Sequence, residues 1–372
     1  MTGAMQYVDE YRDGELARHL SGKIAKEVHA ERQYRFMEFC GGHTHAIFRY
    51  GIADLLPPGV KLIHGPGCPV CVLPIGRIDS AIALAKNPRV ILATYADMMR
   101  VPGSHFANLI RARAEGADVR MIYSAADALN IARENPAREV VFFAIGFETT
   151  TPPTALAVRQ AKCDGLANFS VFCNHVLTPP ALRGILDEPD AMLDGVIGPS
   201  HVSAVIGTGA YEFVAKDYGK PVVIAGFEPL DVMQAVLMLV RQVNSAHAVI
   251  ENEYVRAVGA EGNMKAQALM DEVFELRESF EWRGLGWLPW SARKLKPDYA
   301  EFDAEARFGM SHHAVPEPKA CECGDILRGV RSPKDCKVFG TACTPEHPIG
   351  ACMVSSEGAC AAYFSYGRYR AA

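Results

Sequence analysis

Short apolar runs alternate with amphipathic stretches through the middle of the chain. Strand-like runs rich in Val, Ile and Phe fall at 61–64, 90–94, 119–123, 140–145, 170–173, 195–197 and 222–225. They are continuous rather than alternating, as in strands covered on both faces. Helix-period segments follow most of them, at 78–86, 106–115, 125–134, 154–161, 180–186, 211–218 and 230–244. This alternation predicts an α/β fold of parallel sheets wrapped by helices. Two Rossmann-like lobes, broken near 113–140, are the favoured arrangement. Residues 250–285 read as helix and 282–297 as an irregular connection punctuated by Pro and Gly. Past 321 the apolar period fades and Gly, Pro and Cys take over, so that segment needs a staple such as metal.

Polar and reactive residues gather where strands end and helices begin. Gly-Pro-Gly-Cys-Pro-Val-Cys (65–71) follows the first run, and a loop with Asp97 follows the second. Later loops carry Gly-Phe-Glu-Thr-Thr (146–150), His175, Gly-Pro-Ser-His-Val-Ser (198–203) and Gly-Phe-Glu-Pro-Leu (226–230). Open parallel sheets bind ligands at this carboxyl edge, so these loops are expected to converge on one cleft. The two Gly-Phe-Glu segments look like an internal echo, although five residues are thin support for a duplication.

Composition narrows the function. The chain has 372 residues, 49% hydrophobic and 22% charged, with net charge -5 and no basic block. That argues against a nucleic-acid or anionic-membrane surface. Neither a Gly-x-Gly-x-x-Gly fingerprint nor a phosphate loop is present, which argues against nucleotide chemistry. No apolar run approaches the ~18 residues of a bilayer span. Residues 1–20 are broken by Asp9, Glu10, Arg12, Asp13 and Glu15, unlike a secretory signal. A cytoplasmic location is expected.

Eleven cysteines in such a compartment need a reason, and metal or redox chemistry is the usual one. Six crowd into the tail: Cys321, Cys323, Cys336, Cys343, Cys352 and Cys360. The tail lacks the paired Cys-x-x-Cys knuckles of zinc sites, and its spread thiols suit a [4Fe–4S] cluster better. Zinc, disulfides and free thiols remain open on spacing alone. Cys68 and Cys71 are spaced for a local disulfide, or for a metal knuckle. Cys40-Gly-Gly-His43-Thr-His45 puts a thiol and two imidazoles together, with glycines that let backbone approach a ligand. Those donors suit low-spin iron, the alternative being a buried Cys with a core histidine. Asp97, Glu148, His175 and His201 are candidate bases or hydrogen-bond donors to a ligand, or simple caps. Cys163 and Cys173 read as buried small hydrophobes.

Taken together, the Cys40 motif, the 65–71 motif, Gly146-Phe-Glu-Thr-Thr, Gly198-Pro-Ser-His-Val-Ser and the six-cysteine tail resemble the HypD family of hydrogenase maturation factors, in order and along essentially the whole chain. The resemblance implies a scaffold for assembling the Fe(CN)2CO unit of nickel–iron hydrogenases. It implies work with a small chaperone, HypC, which reaches the hydrogenase large subunit, and with the cyanide donor HypE, itself supplied by HypF. By position, Cys40 would hold the iron, and Cys68 and Cys71 would be a redox pair beside it. His43, His45, Asp97, Glu148 and His201 would line the same cleft. Cys321, Cys336, Cys343 and Cys360 would hold a [4Fe–4S] cluster for electron transfer, leaving Cys323 and Cys352 as a pair able to close a disulfide. The implied division is an N-terminal segment 1–56 packing with the cluster lobe, α/β lobes at 57–125 and 126–250, and a helical connection with the Cys-rich iron–sulfur lobe at 251–372. The alternative is an iron–sulfur-dependent thiol–disulfide oxidoreductase similar to ferredoxin:thioredoxin reductase.

Overall fold

The computed structural model describes residues 9–189 and 191–367. The ends of the N-terminal segment (1–8) and of the tail lobe (368–372) lie outside the described residues.

Two all-parallel sheets form the body. One has four strands in the order β4-β3-β5-β6: Val90–Thr94 (β3), Val119–Met121 (β4), Glu139–Gly146 (β5) and Phe169–His175 (β6). Its central strand reads Glu-Val-Val-Phe-Phe-Ala-Ile-Gly, and all but Glu139 is buried. A strand covered on both faces has no polar side to show, which is why its apolar run is unbroken.

The other sheet has five strands in the order β2-β1-β7-β8-β9: Tyr34–Glu38 (β1), Val60–His64 (β2), Gly195–Pro199 (β7), Val222–Ala225 (β8) and Ile250–Asn252 (β9). The expected boundaries at 56/57 and 125/126 do not follow these sheets. Strand β1, in the N-terminal segment, pairs with β2 on one side and β7 on the other. The chain leaves this sheet after β2, builds the whole four-stranded sheet, and returns at β7. Strand pairing is set by non-local burial, which one-dimensional order does not carry. Strand β1 is absent from the predicted runs because Arg35 and Glu38 interrupt it, yet Glu38 is fully buried.

Region 250–285 also departs from expectation. Only Met264–Val273 is helical, and the rest extends into β9, Phe274–Leu276 (β10) and Ser279–Trp282 (β11). The expected irregular connection contains Gly286–Pro289 (β12) and Arg293–Leu295 (β13), which pair antiparallel with β11 and β10. Short hairpin strands whose outer residues are charged or aromatic mimic a helical pattern. The tail after 320 holds only short helical turns. No helix among the described residues is long and apolar enough to cross a membrane.

Candidate metal and redox site

In the five-stranded sheet, β1 connects toward β2 and β7 connects toward β8, in opposite directions from adjacent strands. The helix after β1, Gly41–Tyr50, packs on one face, with Ile47 in the core beside Val236. The helices after β7 pack on the other face, with Val202 and Tyr211 in a separate core. The carboxyl ends of β1 and β7 therefore splay open. Such a switch point is where open parallel sheets hold ligands.

Cys40 stands there. It caps the start of the helix after β1, and the residue is 6% exposed. Its Sγ lies 3.9 Å from Nδ1 of His201, the second residue of the helix after β7. His201 is exposed at the mouth and packs on the Phe227 ring, 4.0 Å between centroids. Burial, together with the nearby Glu357 charge, pushes the Cys40 thiol up to about 12. Such a thiol stays protonated in water and loses its proton to a nearby base when its sulfur binds a metal cation.

The backbone around Cys40 is held tightly. The buried Glu38 carboxylate accepts from the Cys40 N–H at 3.1 Å, from the Thr44 hydroxyl, and from His64 Nδ1 at 2.7 Å. Burial raises the pKa of Glu38, with His64 opposing. The loop after β2 is laid directly on this turn: Gly65 N–H donates to the Glu38 carbonyl at 2.9 Å, and Gly41 N–H to the Gly67 carbonyl at 3.3 Å. A Cβ on Gly67 would meet Cys40 N and Cα at 2.5 Å, so only glycine permits the approach. Gly41 and Gly42 have parallel reasons, Glu357 pressing on the first and Phe227 on the second.

That loop carries Cys68 and Cys71, both buried and joined in a disulfide with Cα atoms 5.3 Å apart. The short helix Pro69–Val72, capped by Cys68 and containing Cys71, packs on the turn Ala351–Met353, which bears Cys352.

All six tail thiols gather in one region. Cys323 is within hydrogen-bonding reach of Cys321, Cys352 and Cys360. Cys343 lies in the electrostatic range of Cys321 and Cys336, and its sulfur accepts from Ile349 N–H at 3.4 Å. Cys323 and Cys352, the pair able to close a disulfide, are both free thiols here, and Cys323 sits amid three others. Gly350 faces the sulfurs of Cys321 and Cys323 without a side chain. Ile326, Leu327, Val354 and Ala361 make the surroundings apolar. Among the described residues no three His, Cys, Asp or Glu side chains surround a single-ion position. A cubane takes one thiolate per iron, so its donors stand apart, and an all-thiolate apolar nest suits it.

The sequence model of the HypD family, described as "Hydrogenase formation hypA family", matches residues 15–367. "Hydrogenase maturation factor HypD" of Azotobacter vinelandii is 64% identical over 373 residues, covering 99% of this chain and 98% of that one. "Hydrogenase maturation factor HypD2" of Bradyrhizobium diazoefficiens is 62% identical, with 98% of each chain covered. The protein of the same family from Escherichia coli strain K12 is 50% identical, covering 97% of this chain and 98% of its own. The chain belongs to the HypD family.

Within this HypD-family chain the expected cleft residues divide. His201 reaches Cys40, as described. His43 shares the Phe227 pad at 4.9 Å, but its Nε2 is directed at the carbonyls of Ala225 (2.9 Å) and Gly226 (3.0 Å). Two carbonyl acceptors require the proton on Nε2, and burial lowers its pKa to about 4, so His43 is a neutral tether between the ends of β1 and β8. His45 turns away and meets the Tyr366 ring edge-on at 5.2 Å. Glu148 accepts from Thr178 N–H (2.9 Å) and hydroxyl (3.0 Å), holding the start of the helix Thr178–Leu186. Burial pushes its carboxyl up to about 7. Asp97 is exposed on the turn after β3, where its charge is felt by Glu357. His175 is buried against Thr154. Cys173 is buried as expected, but Cys163 is exposed at the end of its helix.

Three residues close to Cys40, namely Glu38, His64 and Glu357, belong to no motif, whereas Phe227 lies in the Gly-Phe-Glu segment at 226–230.

Proposed function

We propose that this chain works in the cytoplasm as the scaffold on which the Fe(CN)2CO unit of nickel–iron hydrogenases is assembled. The observation that carries this reading is Cys40: a buried, protonated thiol at a sheet switch point, 3.9 Å from an exposed imidazole, with a disulfide loop laid on its backbone. Iron is the substrate here, and Cys40 Sγ is its anchor. As iron arrives, the thiol proton leaves, and His201 Nδ1 is the acceptor within reach. The exposure of His201 leaves the mouth open to a second thiolate, supplied by the small chaperone HypC, so that the fragment can be handed on toward the hydrogenase large subunit. HypE, loaded by HypF, is the cyanide source. The Cys68–Cys71 disulfide is the chain's own redox store beside the iron; opening it to two thiols takes up two electrons and two protons.

Cys321, Cys336, Cys343 and Cys360 would hold a [4Fe–4S] cluster, which when bound supplies one-electron chemistry. Cys323 and Cys352 are then the additional thiols, Cys352 being on the turn that packs against the disulfide helix. Infrared spectra of the anaerobically purified complex with its chaperone test the reading. Wild type is expected to show metal-bound CO and cyanide bands, and Cys40→Ala to lose them while keeping its fold. Bands that persist in Cys40→Ala overturn the assignment.

One observation favours a second reading, a thiol–disulfide oxidoreductase: the disulfide helix rests on the turn bearing Cys352. Reduction of a protein disulfide over many turnovers, with no iron fragment bound, would select it.

A further inference from the structure

Arg283 follows β11, and its side chain enters the protein rather than the solvent, with 2% of the residue exposed. Its backbone N–H donates to the Val72 carbonyl at 2.8 Å. Its Nε donates to the Leu73 carbonyl at 2.9 Å, and its Nη1 to Glu317 Oε2 at 2.7 Å. These bonds fasten the guanidinium to the end of the helix that carries the Cys68–Cys71 disulfide. The remaining nitrogen, Nη2, is buried with no hydrogen-bond partner. An unpaired buried donor costs about 1–3 kcal/mol, and more on a charged group. A side chain otherwise so fully engaged therefore implies an acceptor that the polypeptide does not itself supply.

The direction of that acceptor follows from the packing. Gly284 lies against Gly324, the residue after Cys323; a Cβ on Gly284 would stand 2.6 Å from Gly324 Cα. Arg283 thus borders the thiol nest on the side where it also grips the disulfide helix. The guanidinium is close enough for its charge to reach the Cys321 sulfur. The same guanidinium acts on Cys352.

We infer that Arg283 is a positioning residue that donates from Nη2 to a sulfur of the group held by the tail cysteines, coupling that group to the Cys68–Cys71 helix through one buried charge. The inference rests on the iron–sulfur reading above. Hydrogen bonds to cluster sulfurs and nearby positive charge favour the reduced state and raise the reduction potential. Glu317, paired to the same guanidinium, offsets part of that charge.

The test is a redox titration of the anaerobic full-length chain, followed by electron paramagnetic resonance and paired with iron analysis. Arg283→Gln is expected to lower the midpoint potential and Glu317→Gln to raise it, with Arg283→Lys between wild type and Arg283→Gln. A merely structural role would move both Gln variants in the same direction, through loosened packing. An unchanged midpoint in Arg283→Gln holding about four irons per chain overturns the inference alone. Should Arg283→Gln lose its iron, an unchanged midpoint in the intact Glu317→Gln chain overturns it equally. A wild-type chain without cluster iron overturns the iron–sulfur reading, and this inference with it.

Discussion

The crevice around Cys40 and the nest of tail thiols are built by opposite means. Cys40 is fixed by backbone: a strand end, a helix start, a buried carboxylate and a glycine pressed against it. The tail thiols are fixed largely by one another, in turns with little regular structure. The first site stands complete as folded protein, whereas the second leaves its order to whatever the sulfurs bind. A scaffold that loads and releases cargo needs the first design. A cofactor kept for the life of the protein permits the second, because metal-binding energy then becomes folding energy.

If the tail holds the proposed cluster, stripping its metal should separate the two regions most sharply. Treatment with a strong chelator is expected to open 321–360 to proteolysis while the parallel sheets keep their circular dichroism and protease resistance. Equal loss in both regions would erase the contrast.

A smaller effect comes from single methyl groups. In Gly67→Ala the new Cβ meets the Cys40 backbone, which cannot move without shifting β1, so a loss of about 3 kcal/mol in denaturant unfolding is expected. Gly350→Ala meets only the Cys321 and Cys323 sulfurs, which can rotate. It should cost under about 1 kcal/mol in the metal-free chain yet reduce retained iron. A reversal of that order would show the nest to be the stiffer site.

The pH dependence of stability probes the lobes alone. Glu148 rises from 4.5 to about 7 on folding through burial, so the folded chain favours its protonated form. Its contribution is complete below pH 4.5 and is lost as pH rises through about 7. Wild type should therefore lose on the order of 3 kcal/mol by pH 8 that Glu148→Gln does not lose. Parallel curves for the two proteins would remove Glu148 as the source.

The sequence made the strands legible where burial is two-sided, as in β5, and made chemistry legible where glycines flank a thiol. Pairing between strands was hidden. Nothing local to Tyr34–Glu38 says that it lies between β2 and β7, and its buried Glu38 looks like a surface residue. The Cys40 crevice needs both neighbours, so its motif could be read while its walls could not. Glu357 and Arg283 come from distant segments and carry no motif at all.

The interruption of one sheet by the other also sets an order of events during synthesis. The four-stranded sheet is contiguous between 90 and 175 and can close as soon as those residues emerge. The strands β1 and β2 must wait for β7 and β8, and domains complete only when their last strands leave the ribosome. The Cys40 thiol consequently passes through translation without its crevice, as an ordinary exposed cysteine. Its crevice gains the Phe227 wall once the chain has grown past that residue, and the Glu357 wall only when the tail has followed.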